Sequence, residues 1–228
     1  MTDRPLLVVP SVSLDQRQVD QTEAVYRESF PPHLRVPFAE LARPGPAGLM
    51  VVAVEGGADP GGRPPGTPRP SDQPVGFAAM LRLRREAWTF LRYYGVAASR
   101  RGQGVGERFW RLLQPELAAT GWPARIAFEV EDPADDAADE AERLIRRRRV
   151  AFWQRCGAAV LAVDRYVMPD ITGLAAPEPM RLMACDPGRS PALPAAQLTG
   201  LVSAIYAERY GLDDQHPLVA AALASVPD

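Results

Sequence analysis

Lysine is absent from this 228-residue chain: all 26 basic residues are arginine. A Walker-type phosphate loop needs Lys before Ser or Thr to reach the terminal phosphates, so an ordinary P-loop nucleotidase is excluded. Cysteine is scarce. The two residues present, Cys156 and Cys185, make no disulfide framework, which fits a reducing compartment. An excess of charge of one sign is also missing. A formal net charge of -2 gives no electrostatic case for a nucleic-acid or membrane partner. No apolar run could span a bilayer, and Leu6 to Val9 is too short for the core of a signal peptide. A cytoplasmic location is the expectation. The arginine-only basic set, beside abundant Ala, Pro and Gly, reads as coding bias.

The length suits one large domain, or one domain plus an extension, and a hydrophobic fraction of 46% is ordinary for a globular chain. Leu6 to Val9 reads as a strand ended by Pro10. Ser13 or Asp15 caps a helix whose Val19, Tyr26 and Phe30 recur at helical spacing until Pro31-Pro32 stops it. A short helix is expected within His33 to Arg43. Leu49 to Glu55 is a Val-rich strand. Residues 56–74, dense in Gly and Pro, read as a long, mobile loop between two strands. Val75 to Leu83 and Trp88 to Val96 form the arms of a hairpin. Further on, Arg125 to Glu131, Val160 to Met168 and Met180 to Ala184 read as strands. A helix is expected from about Asp135 to Cys156, acidic at its start and basic at its end, which complements the dipole. Its Asp139/Arg143 and Glu142/Arg146 pairs are spaced for salt bridges, and the run Arg146 to Arg149 reads as a solvated face. Leu198, Leu201, Val202, Ile205 and Tyr206 form the apolar stripe of a last helix, packed within the chain or joining a homodimer.

The most informative stretch is Val96-Ala97-Ala98-Ser99-Arg100-Arg101-Gly102-Gln103-Gly104-Val105-Gly106. It follows a strand-like run and opens onto a helical pattern carrying Phe109, Leu112, Leu113 and Leu117, with Pro115 predicting a kink or a new start. Free N–H groups at a helix start, with the positive end of its dipole, hold phosphates well. A Rossmann fingerprint needs a third Gly or Ala five positions after the first. Counted from Gly102 that position is Glu107, and from Gly104 it is Phe109, so the fingerprint fails.

What remains, Arg101-x-x-Gly104-x-Gly106 with Val96 five residues before it, resembles the acetyl-coenzyme A loop of the GNAT acyltransferase superfamily. Successive N–H groups would wrap the pyrophosphate, and a side chain at 104 or 106 would block that approach. A second segment, Phe152-Trp153-Gln154-Arg155-Cys156-Gly157-Ala158, stands where the superfamily has a pattern like Phe-Tyr-x-x-x-Gly-Phe. Gly157 matches, Trp153 replaces the usual Tyr and Ala158 the usual Phe. Tyr26-x-x-Ser29-Phe30-Pro31-Pro32-x-x-Arg35-x-Pro37-Phe38, Glu129-Val130-Glu131 with Pro133, and Pro179-Met180-x-Leu182-Met183 are similar to segments in a subset of bacterial members.

The resemblance implies an α/β GNAT fold, with a mixed, mostly antiparallel sheet splayed at its centre and helices on both faces. Residues 1–186 would form the acyl-CoA-binding domain, and 187–228 a C-terminal helical extension packed on it. It implies transfer of an acetyl group from acetyl-CoA to a small-molecule or peptide amine by direct attack in a ternary complex, with no metal. The coenzyme-binding residues would be Val96, Ala98, Arg101, Gly102, Gln103, Gly104, Val105, Gly106 and Trp153. The Val96 N–H would face the thioester carbonyl, and Ala98 would pair with the pantetheine arm. The superfamily's Tyr often protonates the leaving thiolate, a role that Trp cannot fill.

For the base, Glu129 and Glu131 lie on one face of their strand, opposite Ile126, Phe128 and Val130. Two nearby carboxylates raise one another's pKa and attract a cationic amine. Tyr94 and Tyr93 are the next candidates, and His33 a weaker one. Trp153 and Arg92 depart from catalytic habit, so a non-catalytic CoA-binding module stays open as the alternative. An acyltransferase for longer acyl chains is a third reading.

Overall fold

A computed structural model describes residues 5–56, 67–171, 173, 176–187 and 193–227. Its strands are β1 (Leu6–Pro10), β2 (Gly48–Glu55), β3 (Gln73–Arg82), β4 (Thr89–Val96), β5 (Ile126–Glu131), β6 (Ala159–Val160), β7 (Val167–Met168) and β8 (Glu178–Cys185). Its α-helices are α1 (Gln16–Ser29), α2 (Phe38–Ala42), α3 (Val105–Ala119), α4 (Glu140–Arg155), α5 (Ala195–Tyr210) and α6 (Pro217–Leu223). The strands are hydrogen-bonded in the order β1-β2-β3-β4-β5-β8-β6, with β7 on β8. β4 and β5 run parallel, paired over Thr89 to Leu91, whereas β1–β2, β2–β3 and the pairings of β8 are antiparallel. This is the expected mixed, mostly antiparallel open sheet with helices. None of the described helices is long and apolar enough to cross a membrane.

Contacts divide the chain into two compact units, Met1–Leu81 with Arg92–Trp122, and Arg82–Leu91 with Pro123–Asp228. In the first, Asp15 rather than Ser13 starts α1. Its carboxylate accepts the Gln18 N–H at 2.8 Å, and the Gln18 side chain accepts the Asp15 N–H at 3.2 Å. Val25 and Tyr26 of α1 enter a core with Val9, Phe38, Met50, Val52, Phe77 and Tyr93. Gln18, also buried, donates to the carbonyls of Arg69 (2.7 Å) and Asp72 (3.1 Å). It thereby fastens the end of the Gly/Pro-rich stretch. Of the expected loop 56–74, residues 57–66 lie outside the described residues, 67–72 are tied to α1, and β3 begins at Gln73.

The helix after the glycine loop runs unbroken through Pro115. Pro115 and Arg111 are both exposed, so the carbonyl left without an N–H partner can meet water. The buried stripe Val105, Phe109, Trp110, Leu113 and Leu117 holds α3 in place.

In the second unit, α4 starts later than Asp135. The Asp139 carboxylate caps it by accepting the Glu142 N–H at 2.8 Å, and so does not pair with Arg143. Arg146 is buried rather than solvated. It reaches Glu142 (2.8 Å), Asp135 (3.0 Å), Glu178 (3.3 Å) and the Asp132 carbonyl (3.0 Å). The expected strand Val160 to Met168 is two short strands. Between them Val163 N–H turns back to the Leu161 carbonyl at 2.9 Å, which buries Leu161, Val163 and Tyr166 together. The apolar face of α5 is buried in this unit. Glu208 on α5 accepts the N–H groups of Arg84 (2.7 Å) and Arg85 (2.8 Å) in the hairpin turn. α6 was not expected from its composition. His216 caps it and Pro217 occupies its first position.

Candidate functional site

The glycine loop lies in the first unit. β4 ends at Val96, and Ala98–Arg100 forms a single 3-10 turn. That turn is anchored by Arg100, whose guanidinium meets the buried carboxylate of Glu55 at 2.8 Å. Gly102 and Gly104 then adopt φ of +73° and +76°. Side chains rarely tolerate this left-handed region, which makes glycine the default at both positions. Gly104 is the residue before the first turn of α3, and Arg108 is the first whose N–H closes a helical bond, to the Gly104 carbonyl at 3.0 Å. Helix geometry leaves the N–H groups of Val105 and Gly106 in the first turn without an intrahelical acceptor. A Cβ built at Gly102 or Gly104 meets no protein atom within 4 Å. The loop is therefore an open cradle of backbone donors at the positive end of a helix, held from behind by buried Val105.

The side chains of the loop turn back on their own backbone. Arg101 Nε donates to the Val96 carbonyl at 3.0 Å and its Nη2 to Ser29 Oγ at 3.1 Å, while Gln103 Nε2 donates to the Ser99 carbonyl at 2.8 Å. The Ala98 N–H, expected to pair with a pantetheine arm, donates to the Glu28 carboxylate at 2.7 Å. Glu28, at the end of α1, was not singled out in the sequence, because nothing in its local pattern points 70 residues ahead.

Tyr94 supports this loop. Its ring stacks on Phe109 with centroids 5.1 Å apart, and its hydroxyl donates to the Gly106 carbonyl at 2.6 Å. Tyr93 is a core residue. Its ring lies 5.0 Å from Phe30 and 5.2 Å from Tyr26, and its hydroxyl donates to the Leu34 carbonyl at 2.8 Å. His33 sits in the same 3-10 turn, Pro32–Leu34.

Glu129, Glu131 and Trp153 lie in the second unit. The strand alternation is as expected, with Phe128 and Val130 buried and both glutamates on the other face. Their environments differ. Glu129 accepts the hydroxyls of Tyr166 (2.5 Å) and Tyr210 (2.6 Å). Burial pushes its carboxyl above the ordinary value, and the two hydroxyls and the Arg209 charge pull it back. Glu131 is paired with Arg149. Burial alone would raise it, but the Arg149 charge and hydrogen bond outweigh that and hold it below the ordinary value. The split thus comes from desolvation and from an arginine, not from the mutual repulsion expected of neighbouring carboxylates.

Glu131 therefore contributes stability that is present above its unfolded value and is lost as pH falls through the lower folded one. Arg149→Leu is expected to cost about 1 kcal/mol at neutral pH and nothing in strong acid, as urea denaturation at the two conditions would read. An equal loss at both would put the effect in lost packing instead.

Trp153 is buried, with its ring 4.4 Å from Phe128 and 5.0 Å from Phe152. Two residues past α4, Gly157 takes φ of +86°, and the Ala158 N–H closes back on the Trp153 carbonyl at 3.0 Å. The Trp thus fills the core where the resemblance has a Tyr, and it brings no hydroxyl.

Comparison with known proteins agrees with this picture. A protein of Bacteroides thetaiotaomicron, described as an acetyltransferase from the GNAT family, has a similar structure. Its TM-score is 0.62 at 19% identity, over 92% of this chain and 99% of its own. The ribosomal-protein-S18-alanine N-acetyltransferase of Escherichia coli has a TM-score of 0.50 at 16% identity, over 82% of this chain and 96% of its own. No curated protein matches the chain. The acetyltransferase (GNAT) family matches residues 20–158, more than half of the sequence, and the match takes in α1, the glycine loop, β5 and α4. On that match, with the open glycine cradle and the mostly antiparallel sheet around it, the chain belongs to the acetyltransferase (GNAT) family.

Proposed function

We propose that the chain transfers an acetyl group from acetyl-CoA to an amine, on a small molecule or a peptide, by direct attack in a ternary complex. The observation that carries this reading is the cradle at Gly102 to Gly106: left-handed Gly102 and Gly104, open space above them and a helix start just beyond fit a pyrophosphate. Gly102, Gln103, Gly104, Val105 and Gly106 would supply backbone donors, and Arg101 a nearby positive charge. Val96 would offer its N–H to the thioester oxygen as charge develops there. Ala98 would pair with the pantetheine arm, in place of Glu28.

The acceptor has to lose a proton before its nitrogen can attack. Glu129 suits that task better than Glu131. A desolvated carboxylate with neutral donors is a stronger base than one clamped by an arginine. Tyr93 and Tyr94 spend their hydroxyls on backbone carbonyls and serve as supports. With Trp153 in the core, the thiolate would leave without a proton from that position. The same observation favours a second reading, a CoA-binding module without turnover.

Thiol release from acetyl-CoA against a broad amine panel separates the two. Turnover with at least one amine is the expected result. Acetyl-CoA that raises the Tm with no turnover on any amine would leave only the module, and no stabilisation by any acyl-CoA would sink both.

A further inference from the structure

Glu129 lies among three tyrosines supplied by other parts of the second unit. Tyr166 precedes β7, and Tyr206 and Tyr210 stand one turn apart on α5, so both reach the same side of that helix. Tyr206 packs 5.1 Å from the Tyr166 ring and 6.1 Å from the Tyr210 ring. Its hydroxyl donates to the Val167 carbonyl at 2.8 Å and accepts the Val167 N–H at 3.2 Å, which fixes the residue next to Tyr166. Tyr166 and Tyr206 are buried, whereas Glu129 and Tyr210 keep some exposure. All three tyrosines fall after residue 158, where the family match ends.

We propose that Tyr210, together with Tyr166, is a positioning residue for Glu129: each hydroxyl holds one carboxylate oxygen and leaves the remaining lone pairs for the N–H of the acceptor. The proposal rests on the reading of Glu129 as the base. A carboxylate has about four acceptor sites, and the tyrosines use one on each oxygen. In the step this serves, a proton of the acceptor ammonium passes to a Glu129 oxygen. The N–H bond breaks, its electron pair stays on nitrogen, and that pair is then free to attack. The tyrosines stay neutral throughout, since burial and the facing carboxylate push their own ionisation well above its ordinary value.

The choice of partner decides how basic Glu129 is. Without donors, desolvation would keep the group protonated and useless as a base. With an arginine, as at Glu131, it would be held ionised and reluctant to accept a proton. Two neutral hydroxyls lie between those limits. The surroundings add little else. Arg209 on α5 contributes a positive charge, Tyr206 is neutral, and on β8 Glu129 stands opposite Leu182. Glu131, two residues along β5, is neutralised by Arg149.

Tyr210→Phe, Tyr166→Phe and the double variant test this in the full chain, with Glu129→Gln as reference. Two quantities are read: the pH profile of kcat/KM, and the titration of Glu129 followed by carbon-13 NMR on carboxyl-labelled protein. Loss of a hydrogen bond to the ionised form moves both upward by about one pH unit per tyrosine, and further in the double variant. The Kd for acetyl-CoA should stay within about twofold of the wild type. A Glu129 titration unmoved in both single variants overturns the proposal, and so does a fall in the high-pH plateau with an unmoved acid limb. Wild-type turnover in Glu129→Gln would instead remove the base assignment, while the NMR titration still decides the role of the tyrosines. Should one variant not fold, as a thermal melt would show, the other single variant carries the same test.

Discussion

Gly104→Val is expected to give a folded protein that no longer binds acetyl-CoA. The site is unusual in that the new side chain has nothing in the protein to collide with: its Cβ would have no neighbour within 4 Å. The damage comes from two other directions. A β-branched residue resists the φ of +76°, at a cost of about 1–2 kcal/mol, so the loop relaxes and its N–H groups lose their aim. The side chain also occupies the open space that a pyrophosphate needs. Loss of two or more hydrogen bonds to a charged group amounts to an affinity fall of about 100-fold or more. Isothermal titration with acetyl-CoA reads that fall, and a thermal melt shows whether the core around Phe109 and Leu113 survives. Wild-type affinity would refute the phosphate cradle.

Glu129→Gln is the second large effect, and it should fall on turnover instead of binding. The amide keeps the shape of the carboxyl and can still meet the two tyrosine hydroxyls, one as acceptor and one as donor. It cannot take a proton. General-base catalysis contributes about 100- to 10,000-fold, so kcat should drop by that order while the Kd for acetyl-CoA holds. Stability should hold as well, because the change removes a desolvated charge. Steady-state kinetics beside a denaturation curve would check both. Unchanged kcat would move the base elsewhere.

The two halves of this reading were legible in the sequence to different degrees. The glycine loop could be read because its requirements are local: a strand end, left-handed positions that suit glycine, and a helix start within eleven residues. The alternation that puts Glu129 and Glu131 on one face is local too, and it appears as expected. What separates them was not readable. Tyr166 lies 37 residues from Glu129 and Tyr210 81 residues away, and Arg149 stood inside a run that looked like a solvated helix face. Arg146 in the same run shows why that inference failed. A buried arginine needs partners on several segments, and Asp135, Glu142 and Glu178 supply them only once the chain has folded. Leu161 and Val163 alternate like strand residues, yet only Leu161 donates to β8, at the Leu182 carbonyl, before a local turn at Val163 interrupts the pairing and buries both. A proline inside a helix removes one N–H donor, and at Pro115 the carbonyl left over, that of Arg111, lies on the exposed side, so α3 continues.

The bond from the Ala98 N–H to Glu28 bears on how the coenzyme would be gripped. A donor that is already satisfied is not an empty socket. A pantetheine carbonyl arriving at Ala98 would exchange with a carboxylate that α1 tethers nearby, a competitor that is always at hand and carries a full charge. The arm would then gain only the difference between two hydrogen bonds, a small balance. Net attraction would have to come from the other end of the ligand. By this reasoning the arm would mainly set alignment along β4, and the diphosphate on the glycine loop would set how tightly the whole molecule is held.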